Sequence, residues 1–177
     1  MKSIALFLFA LLSLAQLRAQ QPDTWRKDGK LIADTNNMKS KDGFAAQLFL
    51  TESAKFFDDW NKPETPKLPP LQEARRNVPF FTAILFVDPA TDTTKRAKVT
   101  CHVIVRKPDG TVYGEDDLVG WDGKHVVPLH NLQLAQGRMG IRIEPKDPSG
   151  IYTVEAMVRD DIKKIELQLK TTFKVAK

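Results

Sequence analysis

Residues 152–175 read YTVEAMVRDDIKKIELQLKTTFKV, and this stretch decides the fold. Tyr152, Val154, Ala156 and Val158 alternate with Thr153, Glu155 and Arg159. After Asp160-Asp161, a second series follows: Ile165, Leu167, Leu169, Thr171, Phe173 and Val175 alternate with Lys164, Glu166, Gln168, Lys170, Thr172 and Lys174. Side chains of a strand point alternately to opposite faces, so the pattern predicts two strands, each with one buried and one wet face, joined by a turn. A helix would place its apolar residues three and four apart, which this stretch does not do. The lysines fall on the wet face, where alternating charges make pairs across strands and blunt edges against aggregation.

The same reading extends upstream. Met139, Ile141 and Ile143 alternate with Arg138, Arg142 and Glu144. Val99, Cys101, Val103 and Val105 share one face of a strand over residues 97–106, with Thr100, His102 and Arg106 on the other. Lys107-Pro108-Asp109-Gly110 is then a tight turn, with proline presetting φ and glycine taking the left-handed position, and residues 111–114 return as the paired strand. Residues 78–88 (VPFFTAILFVD) are apolar on both faces and predict a central strand covered on both sides, with Pro79 tolerable only at its start. Residues 44–51 (FAAQLFLT) predict a further strand, followed by one or two helical turns within residues 52–60. Strands separated by turn signals indicate an all-β protein, an antiparallel β-sandwich or barrel.

Pro63, Pro66, Pro69 and Pro70 punctuate KPETPKLPP at residues 62–70, a run that cannot lie inside a helix or a central strand. It reads as an extended connector and places the expected domain boundary nearby. The expected organisation is a segment over residues 1–19 that is removed, then a lead-in over residues 20–77 and a β-sandwich over residues 78–177. The lead-in holds a polar arm, one strand and the proline-rich connector. In the arm, Asp28-Gly29, Asn36-Asn37 and Asp42-Gly43 are turn signals, and Trp25, Leu31 and Ile32 are the residues able to dock it.

Asp147-Pro148-Ser149-Gly150-Ile151-Tyr152-Thr153-Val154 resembles the turn-into-strand segment of immunoglobulin-like sandwiches. The resemblance implies that Tyr152 bonds back to the preceding turn and that residues 162–175 form the closing strand. Val154 stands where antibody-type domains carry a cysteine, and the aspartate lies one residue further from the tyrosine, so the resemblance is to architecture alone. With Trp60-Asn61-Lys62-Pro63 and the Pro108-Asp109-Gly110 hairpin, the chain also resembles uncharacterised secreted bacterial proteins, which implies no activity.

The compartment is read from the other end. Met1 and Lys2 begin the chain, residues 4–12 are uniformly apolar, and Ser13, Ala15 and Ala19 supply small residues for cleavage, the three-part pattern of a signal peptide. Gln16, Arg18 and Gln20 end the apolar run well short of the about 20 residues a spanning helix needs. Cleavage after Ala19, with Ala15 as the competing position, removes two of the charges behind a formal net charge of +5. That surplus is too small to argue for nucleic acid. The expectation is a periplasmic or secreted protein with no membrane span. Its single cysteine cannot form a disulfide within the chain, so stability must come from an apolar core.

Chemistry is sparse. There is no Gly-x-Ser-x-Gly, His-Glu-x-x-His, phosphate loop, Cys-x-x-Cys or Rossmann glycine pattern, so no catalytic residue, cofactor or metal is expected. Cys101, the one thiol, falls on an apolar strand face, where it behaves as a small hydrophobe. His102, His125 and His130 lack the spacing that aligns ligands on a helix. Glu115-Asp116-Asp117, with Asp122 nearby, reads as a solvated acidic turn, without the alternation of a calcium loop. Two functions follow. The first is a non-enzymatic interaction module presenting loops or a strand edge to an envelope or extracellular protein. The alternative is small-ligand or carbohydrate binding through Trp121, Asp122 and His125, with Tyr113 close by.

Overall fold

The computed structural model describes residues 25–27, 30–64 and 66–177; the segment over residues 1–19 that is expected to be a signal peptide lies outside them. Two-residue strands β1 (Arg26–Lys27) and β2 (Lys30–Leu31) pair with each other. There follow β3 (Met38–Lys41), β4 (Phe44–Thr51), α1 (Ala54–Asp59), β5 (Glu73–Ala74) and β6 (Phe80–Val87). The chain continues through β7 (Arg96–Arg106), β8 (Val112–Val126), β9 (Gln133–Leu134), β10 (Gly140–Ile141), β11 (Gly150–Asp160) and β12 (Ile165–Val175).

These strands form two sheets packed face to face. One has the order β10-β6-β4-β3, with β9 also on β6; the other has the order β5-β12-β11-β7-β8. Pairing is antiparallel except where β5 meets β12. The fold is therefore an all-β sandwich, as the alternation predicts.

The predicted faces are where burial puts them. Val99, Cys101, Val103 and Val105 from β7, Tyr152, Val154, Ala156 and Val158 from β11, and Leu167, Leu169 and Phe173 from β12 are all buried in one cluster. Phe44, Leu48, Leu50, Phe80, Ile84 and Phe86 meet them from the opposite sheet. Each large apolar side chain so buried stabilises the fold by about 1.5–3 kcal/mol before the cost of ordering is subtracted. β6 is covered on both sides, as expected. Its outer face carries Ala83 and Leu85, which pack under Phe56 of α1 together with Phe49, Phe57 and Trp60.

The wet face of the second sheet is laced by charge. Glu155 lies between Arg106, at 2.9 Å, and Lys170, at 3.7 Å, on the two neighbouring strands. Arg159 reaches Glu166 at 3.4 Å on β12.

Turns follow residue chemistry. Asp42 (φ 50°) and Gly43 (φ 88°) join β3 to β4 with both residues left-handed, the twist a two-residue hairpin needs. Gly110 takes φ 86° in the β7–β8 hairpin, donating its N–H to Lys107 O at 2.9 Å. The Tyr152 hydroxyl donates to Pro148 O at 2.9 Å, so it does bond back to the turn before it. Asp147 is engaged elsewhere: its Oδ2 accepts from Glu144 N and lies 2.7 Å from the Tyr113 hydroxyl. Arg76 ties together distant segments by donating to Glu144 O, Asp147 O, Ser149 Oγ and Ala176 O.

Three expectations change. The strand at residues 44–51 pairs with β6 from Ala45↔Val87 to Thr51↔Phe81, so it belongs to the sandwich. The lead-in of residues 20–77 therefore does not end where the sandwich begins, and the proline-rich connector leads from α1, after β4 of one sheet, to β5 of the other. β8 runs on from Val112 to Val126, and the acidic triplet sits in it, with Asp117 opposite His102 and Glu115 opposite Ile104, and not in a turn. Acidic residues, three glycines and register shifts against β7 hide its alternation. Finally, Met139, Ile141 and Ile143 face inward, but only Gly140–Ile141 forms a ladder.

Asp160, expected as a turn residue, is 0 % exposed. Its carboxylate accepts from the backbone N–H groups of Ala90, Ile162 and Lys163 at 2.7, 2.9 and 3.2 Å. Asp160→Asn would keep one acceptor oxygen and set an NH2 donor against at least one of these N–H groups. It should lower stability by about 2–3 kcal/mol in urea unfolding, an unchanged midpoint counting against the three-bond role.

Candidate functional site

The short helix α1 exists because Ser53 caps it, its Oγ accepting from Phe56 N at 3.2 Å. Phe56 then buries against β6, and aromatic contacts spread outward. Phe56 meets Phe57 and Trp60 at 5.4 and 5.6 Å between ring centroids, and Phe57 meets Phe81 at 5.9 Å. Arg138 lies over this layer, its guanidinium 4.3 Å from the Phe57 centroid and 5.3 Å from that of Phe81, a cation–π cap.

Trp121 arrives from the other sheet. Its ring packs edge-on to Phe86 at 6.3 Å, and its Nε1 donates to His125 O at 2.9 Å. Between these two aromatic groups opens a groove of about 380 Å³, walled by Asp58, Trp60, Asn61, Trp121, Gln136 and Arg138. The volume suits a small ligand, and the chemistry is mixed: two half-buried indoles, two carboxamides, one carboxylate and a guanidinium. Gln133, buried in the floor, has its amide nitrogen held by Pro128 O and Asn131 O.

Of the three residues singled out from sequence, Trp121 lines this groove. Asp122 and His125 do not. The Asp122 carboxylate accepts from Lys124 N at 2.8 Å and faces His125 Nδ1 at 3.0 Å, bracing the irregular stretch of β8 beyond Trp121. Chiefly the Lys124 N–H, and then His125, hold its carboxyl below the usual range. Tyr113 is turned to Arg142 O and Asp147, and burial, followed by the Asp147 bond, raises its pKa. Trp60, Asn61, Asp58, Gln136 and Arg138 are the residues that sequence reasoning missed. The signal available was Trp60-Asn61, an aromatic–amide pair just before the prolines.

Each histidine pairs with its own aspartate. His102 Nδ1 meets Asp117 at 2.7 Å, and His130 Nδ1 meets Asp88 at 3.1 Å, as His125 meets Asp122. Among the described residues, no group of three His, Cys, Asp or Glu side chains is placed to hold a metal ion. Cys101 is buried in the core, and burial, reinforced by the negative charge of Asp161, pushes its thiol up to about 12.

No family model and no curated protein matches the chain. Solved structures align weakly. A family 123 glycoside hydrolase from Clostridium perfringens is 12% identical with a TM-score of 0.47, over 75% of this chain and 27% of that one. This chain thus spans little more than a quarter of that protein. The C-terminal domain of wzt is 12% identical with a TM-score of 0.37, over 82% and 77% of the two chains. A Niemann-Pick type C2 protein from Japanese carpenter ant is 11% identical with a TM-score of 0.35, over 73% and 89%. Every one of these scores is under 0.5, so the likenesses carry no argument about what the groove does.

The thiol makes a direct check of the burial. A thiol titrating near 12 is protonated at pH 8, and only the thiolate attacks disulfide reagents. Modification of Cys101 by an aromatic disulfide at pH 8 should proceed no faster than global unfolding, whereas reaction within seconds in the folded state would place the thiol at the surface.

Proposed function

We propose that the chain is an exported, non-catalytic binding module that holds a small hydroxylated ligand, of the sugar class, in the groove between Trp60 and Trp121. The observation that carries this reading is the convergence of two indoles, Trp60 from the end of α1 and Trp121 from β8, on one groove beside Asn61 and Gln136. Flat apolar surface with planar hydrogen-bonding side chains matches a sugar ring, which has C–H faces and a rim of hydroxyls. Export rests on the residue pattern of positions 1–19. The non-catalytic reading draws support from the acids available: Asp58 is the one carboxylate lining the space between Trp60 and Trp121, whereas glycoside hydrolysis uses a pair across one bond.

A protein partner from the envelope or extracellular space is the second reading. Val126 and Leu129, 58% and 44% exposed near one end of the sandwich, favour it. Strand addition is a poorer route to such a partner, since β3, β5 and β10 are short and Gln136 and Gly137 already donate to Gly120 O and Val119 O on β8.

Titration of neutral mono- and disaccharides should shift the tryptophan emission of the full chain and raise its melting temperature. Trp121→Ala should abolish both effects while keeping the β-rich circular dichroism spectrum. A shift that survives Trp121→Ala would put the sugar outside this groove and overturn the assignment, and a saturable protein crosslink with no sugar response would decide for the second reading.

A further inference from the structure

The groove does not stop at Trp60. Beyond it lies a second basin of about 390 Å³, walled by Trp60, Pro63, Glu64, Pro66, Asn131 and Leu132. Trp60 and Gln133 line both basins, so the two adjoin at an indole. One side is the run from Asn131 to Gln136; the other is the end of α1 and the start of the proline-rich connector. The second basin also accounts for Leu132, an apolar side chain left 41% exposed.

We propose that the occupant is a neutral oligosaccharide chain laid across both basins, with rings packed against Trp121 and Trp60 and a further unit against Leu132. This rests on the sugar-class reading of the first basin and extends it to the length of the ligand. Two features select a glycan chain over an extended peptide. The backbone along the groove is already used: Gln133 and Leu134 pair with Phe86 and Leu85, Ala135 N donates to Ile84 O, and Gln136 N donates to Gly120 O. Peptide recognition by strand addition needs a free edge there. Recognition therefore falls to side chains, and those present are indoles and the carboxamides of Asn61, Asn131 and Gln136. An anionic chain is disfavoured: both cations beside the groove are engaged, Arg138 over Phe57 and Lys62 with Asp59 at 2.6 Å, while the carboxylates Asp58 and Glu64 line it.

The test is calorimetric titration of the full chain with neutral gluco-, xylo- and N-acetylchito-oligosaccharide ladders, each from monomer to hexamer. A proline-rich peptide serves as the competing probe. Affinity for one ladder should rise about tenfold or more from monomer to tetramer and then level off as both basins fill. Leu132→Asp, at an exposed position, should remove that rise and leave monomer affinity unchanged, while Trp121→Ala should remove binding at every length. Affinity that is flat with length but lost in Trp121→Ala overturns the chain-length proposal and leaves the single-sugar reading standing. Absence of binding to all ladders at every length overturns both, and tighter binding of the peptide than of any glycan assigns the groove to a protein ligand.

Discussion

The sandwich depends on an aromatic contact between its sheets. Phe80 from β6 meets Phe173 from β12 edge-to-face at 4.9 Å, and Phe173 stacks on Tyr152 from β11 at 5.1 Å. Tyr113 from β8 continues the series by meeting Tyr152 at 5.8 Å. The contact works only if each strand keeps its register, because a slip of one residue would turn the ring to water. Two hydroxyls at its rim are bonded to the chain, Tyr152 to Pro148 O and Tyr113 to Arg142 O, so the apolar packing carries its polar atoms to satisfied positions. The same core holds the inward faces of β7 and β11, and Trp121 packs against it through Phe86.

Much of this was legible in the residues. Period-two alternation located β7, β11 and β12, and apolarity on both faces marked β6 as central, because burial acts on every second side chain and leaves a direct trace. The trace fails where burial is partial. β8 carries Glu115, Asp116 and Asp117 in a strand because cross-strand pairing, here with His102 at Asp117, can accept polar residues on an open face. Residues 44–51 were recognised as a strand but assigned to the wrong side of a boundary, since prolines mark a break in regular structure and say nothing of which strands pair across it.

The site was less legible for a related reason. Trp121 attracted notice through its neighbours Asp122 and His125, yet those neighbours bond to each other within an irregular stretch of β8. The residues beside Trp121 in space are Trp60 and Asn61, brought there by a helix that owes its position to Ser53 capping and Phe56 burial. A groove made where a helix on one sheet's outer face comes up to the rim of the other sheet leaves no spacing in the sequence. What the sequence did preserve was composition: tryptophans and side-chain amides outside the alternating strands.

The place of β12 in the chain has a consequence for how the molecule comes into being. It is the last strand in sequence, lies between β5 and β11, and supplies Ile165, Leu167, Leu169, Phe173 and Val175 to the core. A polypeptide emerging amino end first therefore lacks the ring that joins the sheets until β12 is free. Closure of the core waits on that strand, so the order of the strands itself delays the packing of one sheet on the other.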